Sequence, residues 1–227
     1  MTKRLETIYS MITDGIGVAD IGTDHGYIPI KLAQNGFSGN IIASDINRMP
    51  IETAKRNAEE ANVSDRINYL ISDGLSAITP NSIDTVIIAG LGGDLICRIL
   101  DRAEWIMDSR YKLILQPMTK AEVLRYWLVN NGISIESDIP VKDMGKLYSV
   151  ICARFTSKNT GLSDSELYTG ERVLIRNSCY FDEIIELNSE RMMKIAVGLR
   201  LTGAESFRLD FYDSILNGLF AMKNNRF

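Results

Sequence analysis

Three acids stand at the carboxyl ends of three apolar runs early in the chain: Asp20 in Gly17-Val18-Ala19-Asp20-Ile21, Asp45 after Ile41-Ile42-Ala43-Ser44, and Asp73 after Leu70-Ile71-Ser72. A glycine-rich turn, Gly22-Thr23-Asp24-His25-Gly26, follows the first run. Carboxylates arranged in this way accept hydrogen bonds from hydroxyls and amines and repel phosphate, so they suit an adenosine ligand better than a polyphosphate. Asp45 lies about twenty residues beyond the turn, a spacing from which an acid holds ribose hydroxyls in dinucleotide and S-adenosylmethionine sites alike. Asp73 supplies a second acceptor, placed for the adenine amine, and that tips the choice toward S-adenosylmethionine. The expected donor-binding set is Asp20, Gly22, Thr23, Asp24, His25, Gly26, Asp45, Ile46, Asp73 and Gly74.

Several of these side chains have two readings. Asp24 either accepts from the ligand's amino group or caps the helix that begins near Tyr27. His25, the single histidine, either touches ligand or substrate or is structural, and no neighbouring residues offer themselves as metal ligands. Tyr27 can stack on the adenine, stack on a target base, or simply pack.

The acceptor is expected over Gly90, Gly92 and Gly93, in Ile88-Ala89-Gly90-Leu91-Gly92-Gly93-Asp94, where bare backbone leaves room for a flat base. An Asn-Pro-Pro-aromatic tetrapeptide, which holds an exocyclic amine in many amino-methyltransferases, is missing there, and this favours a ring nitrogen as acceptor. Adenine N1 already carries an in-plane lone pair at neutral pH, so transfer to it needs alignment more than a base. Gln116, in Leu113-Ile114-Leu115-Gln116-Pro117, can offer a donor and an acceptor to a base edge, or satisfy a buried backbone group. With Gly90, Gly92, Gly93 and Tyr27 it makes up the candidate catalytic set.

These residues need a frame that places them at one edge. Strand-like and helix-like segments alternate: strands at 17–21, 39–44, 67–72, 85–89 and 112–116, with helices at 28–34, 51–61, 94–107 and 120–130 between them. The strands are continuous apolar runs suited to burial on both faces, which predicts a doubly wound parallel sheet. Two extended segments, 133–139 and 148–155, then follow with no helix between them, which predicts an antiparallel hairpin at one edge. Together these give the α/β Rossmann-like layout of class I methyltransferases, as residues 1–157. After the polar stretch 156–161, residues 162–227 are expected to form an antiparallel helical hairpin, with stripes Phe181, Ile184, Ile185, Leu187, Met192, Ile195, Leu199 and, past Thr202-Gly203, Phe207, Phe211, Tyr212, Ile215, Leu216, Leu219.

The chain has 227 residues, 45% of them hydrophobic, enough for a core. Its N-terminus lacks the pattern of an export signal and no apolar run approaches a membrane span, so a cytoplasmic location without membrane attachment is expected. Cys97, Cys152 and Cys179 are scattered among aliphatic residues and read as inert core thiols. The net charge of −4 gives no overall attraction to nucleic acid, so RNA would have to be held by a local basic surface.

Lys3-Arg4-Leu5, Asp20-Ile21-Gly22-Thr23-Asp24-His25-Gly26-Tyr27-Ile28-Pro29, Ile88-Ala89-Gly90-Leu91-Gly92-Gly93, Leu113-Ile114-Leu115-Gln116-Pro117 and Gly145-Lys146-Leu147-Tyr148 jointly resemble the bacterial tRNA (adenine-N1)-methyltransferases of the TrmK family. The resemblance covers about residues 1 to 155 and departs at Leu91, where methionine is usual, and Met118, where asparagine is. It implies methylation of N1 of adenosine 22 in tRNA, S-adenosylmethionine as donor, a coiled-coil-like character for the C-terminal helical hairpin, and no required protein partner. The available phosphate partners would be Lys3, Arg4, Arg98, Arg102, Lys120, Arg125, Arg172, Arg176, Arg191, Lys194 and Arg200. A small-molecule methyltransferase and a non-catalytic donor-binding module are the alternatives.

Overall fold

The computed structural model describes residues 1–158, 161–202 and 206–224. Its centre is a seven-stranded sheet of order β3-β2-β1-β4-β5-β7-β6, formed by β1 (Gly17–Ile21), β2 (Asn40–Asp45), β3 (Asn68–Ile71), β4 (Thr85–Gly92), β5 (Lys112–Thr119), β6 (Ile133–Asp143) and β7 (Lys146–Phe155). β1 to β5 pair in parallel, while β7 runs antiparallel to β5 and β6 antiparallel to β7. All five residues of β1 are buried, with Ala19 and Ile21 packing into one layer and Val18 into the other. The period-two alternation of side chains thus feeds two cores from one strand, which is why the strand is apolar throughout.

Helices α1 (Lys3–Ser10), α2 (Tyr27–Gln34), α3 (Arg48–Glu60), α4 (Gly93–Asp101) and α5 (Ala121–Asn130) cover the sheet. The fourth of these stops well short of the expected residue 107, because the chain turns at Arg102 and continues as a short 3-10 segment from Glu104 to Ile106. The hairpin strands are longer than expected and meet at a two-residue turn, where Met144 (φ 48°) and Gly145 (φ 78°) both take left-handed backbone. That geometry matches the twist of paired antiparallel strands.

The C-terminal part holds α6 (Asp164–Thr169), α7 (Arg172–Ile175), α8 (Phe181–Leu201) and α9 (Ser206–Asn224). Lys223 pairs with Glu186 and Arg200 with Asp213, so α8 and α9 are antiparallel. Phe181, Ile185, Met192, Ile215, Leu219 and Met222 form their shared core with Ile175. Three members of the expected stripes are exposed instead: Leu187, Phe207 and Phe211, Phe207 by 64%. Asn159 and Thr160 of the expected linker, and Gly203 of the expected breaker, lie outside the described residues. Cys97 and Cys152 are buried, and burial pushes both thiols up to about 11, but Cys179 is exposed, against the expectation of three core thiols.

Candidate active site

β2 lies on one side of β1 and β4 on the other, so the chain order reverses between β1 and β4, and beyond their carboxyl ends is where open α/β sheets take up ligands. The Gly22–Gly26 turn sits at that point. Gly22 N and Thr23 N both donate to Ser44 O, at 2.8 and 3.0 Å, which pins the turn to β2. Gly26 has φ 71°, and a Cβ there would lie 2.9 Å from Ala54 Cβ, so only glycine lets α2 start this close to α3.

Asp20 is buried, and Thr23 Oγ1 donates to its Oδ2 at 2.7 Å. Burial raises its carboxyl from 3.8 to about 6, with the Thr23 bond working the other way. Between those two values the native state keeps a proton that the unfolded chain releases, so stability from this group falls as pH rises across the window. At neutral pH the buried carboxylate is a cost on the order of 3 kcal/mol. Asp20→Asn is therefore expected to raise the melting temperature at pH 7 and to leave it nearly unchanged at pH 4; equal shifts at both pH values would refute this.

Asp24 takes left-handed backbone (φ 48°), and its carboxylate lies 3.4 Å from His25 Nε2 in the open. α2 has Gly26 at its N-cap and no side-chain cap bond, so the capping reading of Asp24 fails. The His25 ring meets the Tyr27 ring with centroids 5.4 Å apart, and Asn57 Nδ2 holds the His25 carbonyl at 3.0 Å. Tyr27 is half exposed on the first turn of α2.

Asp45 ends β2. Its Oδ1 accepts from Asn47 N at 2.8 Å, while Oδ2 has no partner among the described residues. Ile46 beside it is exposed. Asp73 lies two residues past the end of β3 rather than within it, and Arg102 Nη1 donates to its Oδ2 at 2.8 Å. Its other oxygen faces no protein donor among the described residues, and Gly74 carries the following left-handed turn (φ 59°). The strand ends thus fit a nucleoside donor: Asp45 and Asp73 each keep an acceptor oxygen for a ligand.

β4 loses register with β5 between Ala89 and Leu91 and again between Leu91 and Gly92. The irregularity turns the strand outward at its end, as bulges beside active sites do. Gly90 takes φ 80°, and its N–H donates to Gln116 Oε1 at 3.2 Å. At Gly93 a Cβ would collide with the Lys120 carbonyl, so this glycine is required for α4 to abut the end of β5.

The structure gives Gln116 the second of its two readings. Its side chain is buried, Oε1 accepts from both Gly90 N and Arg4 Nη1 (2.9 Å), and Nε2 donates to Pro117 O at 2.9 Å. It fixes the Gly90 turn and has no edge left for a base. Arg4 also donates from Nε to Asp143 at 2.8 Å and lies over the Tyr148 ring at 4.8 Å. Sequence reasoning quoted Arg4 and Tyr148 in separate motifs without seeing that they form one cluster under the site. The signal was their joint presence at opposite ends of the sheet-forming region.

This also corrects the expected phosphate partners. Arg4 is spent on Asp143, and Arg125 is buried against Asp138 at 2.7 Å. The correction stops at those two: Arg98 and Lys120 pair with Asp94, Arg102 with Asp73, Arg191 with Glu122 and Arg200 with Asp213, but these five cations are more than half exposed, and weak surface pairs leave them open to a phosphate. Among the described residues no group of histidine, cysteine, aspartate and glutamate could hold a metal ion, and no helix is long and apolar enough to cross a membrane.

A family model described as a methyltransferase domain matches residues 1–151. The Bacillus subtilis tRNA (adenine(22)-N(1))-methyltransferase is 32% identical over 170 residues, covering 75% of this chain and 71% of that protein. The crystal structure of the B. subtilis m1A22 tRNA methyltransferase TrmK superposes with a TM-score of 0.83 at 25% identity, over 99% of this chain and 97% of that one. A Streptococcus pneumoniae putative tRNA (m1A22) methyltransferase, solved in complex with S-adenosyl-L-methionine, superposes with a TM-score of 0.76 at 27% identity, over 98% and 99% of the two chains.

Proposed function

The chain belongs to the tRNA (adenine(22)-N(1))-methyltransferase family, and from that premise we propose that it transfers a methyl group from S-adenosylmethionine to N1 of an adenosine in tRNA, at position 22. The observation that carries this reading is the β1/β4 reversal itself, with partner-free carboxylate oxygens among the described residues on one side of it and the glycine turn at Gly90 on the other. The reading places the reaction in the cytoplasm, where tRNA is found.

S-adenosylmethionine, when bound, supplies an electrophilic methyl group on a positively charged sulfur. The chain's own residues bind and orient. Asp45 accepts from the ribose hydroxyls, and Asp73 accepts from the adenine amine through the oxygen that Arg102 leaves free. The Gly22–Gly26 turn, with Asp20 beneath it and Thr23 holding Asp20, faces the methionyl half. Gln116 keeps the Gly90 turn in place, so the acceptor base meets a fixed backbone surface. No side chain has to remove a proton, because adenine N1 presents a lone pair; the rate comes from holding two reactants in line and dry.

Incubation with methyl-labelled donor and bulk tRNA from cells lacking the enzyme tests the reading. Label recovered as 1-methyladenosine supports it, whereas turnover of a small amine, or tight donor binding without transfer, rejects it. A substitution separates donor from acceptor. Gly92 has φ −70° and ψ 144°, backbone that valine adopts readily, and its Cβ would lie 3.0 Å from Asp94 Oδ1 and 3.3 Å from Thr119 Oγ1. Gly92→Val is expected to leave donor affinity within about twofold and to cut methyl transfer by about 100-fold, since a displacement near 1 Å at the reacting atoms costs that much. Full turnover in this variant would mean the base lies elsewhere.

A further inference from the structure

A cavity of about 250 Å³ lies where the end of β5 faces the C-terminal helices, and the reading above gives it no role. We propose that it receives an unpaired nucleobase of the RNA, one next in sequence to the base being methylated; the proposal rests on the tRNA methyltransferase reading.

Position supports it first. Thr119, which lines the cavity, pairs with Gly92 across β4 and β5, so the cavity adjoins the expected acceptor gap through a single register step. A strand of RNA that presents one base to Gly90–Gly93 brings the neighbouring base to this opening.

The lining supports it second. Tyr168 offers an aromatic ring with the Arg191 guanidinium 5.6 Å over it, Met118 adds a polarisable thioether, and Tyr148 lines the cavity with one face already covered by Arg4. Aromatic and guanidinium planes are what unstacked bases pack against in single-stranded RNA sites. Asn188 spends its Nδ2 on Ile184 O at 2.9 Å, and its Oδ1 has no partner among the described residues, leaving an acceptor for a base amine. Size agrees: a dry cavity of about 150 Å³ admits benzene, so this volume suits one bicyclic base.

The frame supports it third. Arg125, buried at the cavity wall, donates from Nε to Asp138, from Nη2 to Ser149 Oγ and from Nη1 to Leu167 O at 2.8 Å. One side chain therefore ties α6 to the sheet and keeps the two walls at a fixed separation, a preformed slot rather than a seam that must open. Site and slot together need both the sheet and the helices.

The test is a cycle that varies protein and RNA together, using the full chain and tRNA transcripts that are either intact or abasic at the nucleotide on one or the other side of the methylated adenosine. With intact RNA, Tyr168→Leu is expected to lower kcat/KM about 10- to 100-fold, the range for one lost stacking contact, while Tyr168→Phe stays near wild type. One of the two abasic transcripts is expected to lose a similar factor with the wild-type chain and to lose almost nothing more with Tyr168→Leu. Asn188→Ala, on the half-buried rim, serves as the second variant and is expected to show the same non-additivity on a smaller scale. Losses that multiply, or abasic transcripts methylated as fast as intact ones, overturn the proposal. Absence of any tRNA methylation by the wild-type chain overturns the underlying reading instead, so the two failures are told apart.

Discussion

Asp45→Ala is expected to weaken binding of S-adenosylmethionine by about 100-fold or more, because a ribose diol loses two hydrogen bonds to a charged acceptor, each worth roughly 1.5–3 kcal/mol. The fold should hardly notice. The bond the variant breaks within the protein is the one from Asn47 N to Oδ1, which is exposed and can be replaced by water. Asp45→Asn keeps one acceptor oxygen and should fall between the two. Titration calorimetry on the free chain reads the effect directly, and an affinity within threefold of wild type for Asp45→Ala would remove the ribose assignment. Turnover at saturating donor should recover much of its rate, since Asp45 lies away from the methyl group in this reading.

The second large effect is on stability. Arg125 and Asp138 have side chains 1% and 0% exposed, and their ion pair sits where α5, β6, β7 and α6 meet. Removing one partner of such a pair leaves the other charge buried and alone, at a cost of about 3–5 kcal/mol. Arg125→Ala is expected to lose that much in denaturant unfolding and to expose the segment around Leu167 to proteolysis. Removing both charges should behave differently. Among the described residues Asp138 Oδ1 has no hydrogen-bond partner, so the pair carries an unmet desolvation cost. Arg125→Met combined with Asp138→Leu is expected to recover most of the loss, and a double variant as unstable as the single one would contradict this account.

The parallel sheet was legible because its strands are short apolar runs bounded by polar residues, as burial on both faces requires; β3, at the sheet edge, departs from that burial, with Ile71 exposed. The hairpin was legible from the missing helix between residues 139 and 148. What the sequence hid was partnership. Arg4 and Asp143 are 139 residues apart, and no local pattern says that the arginine of a lysine-arginine pair at the chain start will be spent on that acid. Arg125, read from sequence as a phosphate contact, looks like any charged residue on an amphipathic helix until the folded chain brings Asp138 and Leu167 to it. The helical stripes failed in part for a related reason. Periodicity shows that Phe207 and Phe211 share a face with Ile215 and Leu219, but α6 and α7 back only the end of the hairpin nearer the sheet, so the stripe is covered there and bare toward the tip. Among the acids, Asp20 and Asp45 stood in their expected strands, whereas Asp73 fell past its strand and into an ion pair that only tertiary structure could supply.

Gln116 has every polar atom committed within the protein, to Gly90, Arg4 and Pro117. A side chain so saturated can act as scaffolding but cannot interrogate an incoming heterocycle. Choice of the adenosine to be modified is then delegated largely to the architecture of the RNA itself: the nucleotide that its bends deliver to the bare backbone is the one that reacts, and a misfolded transcript carrying the same letters would go unmarked.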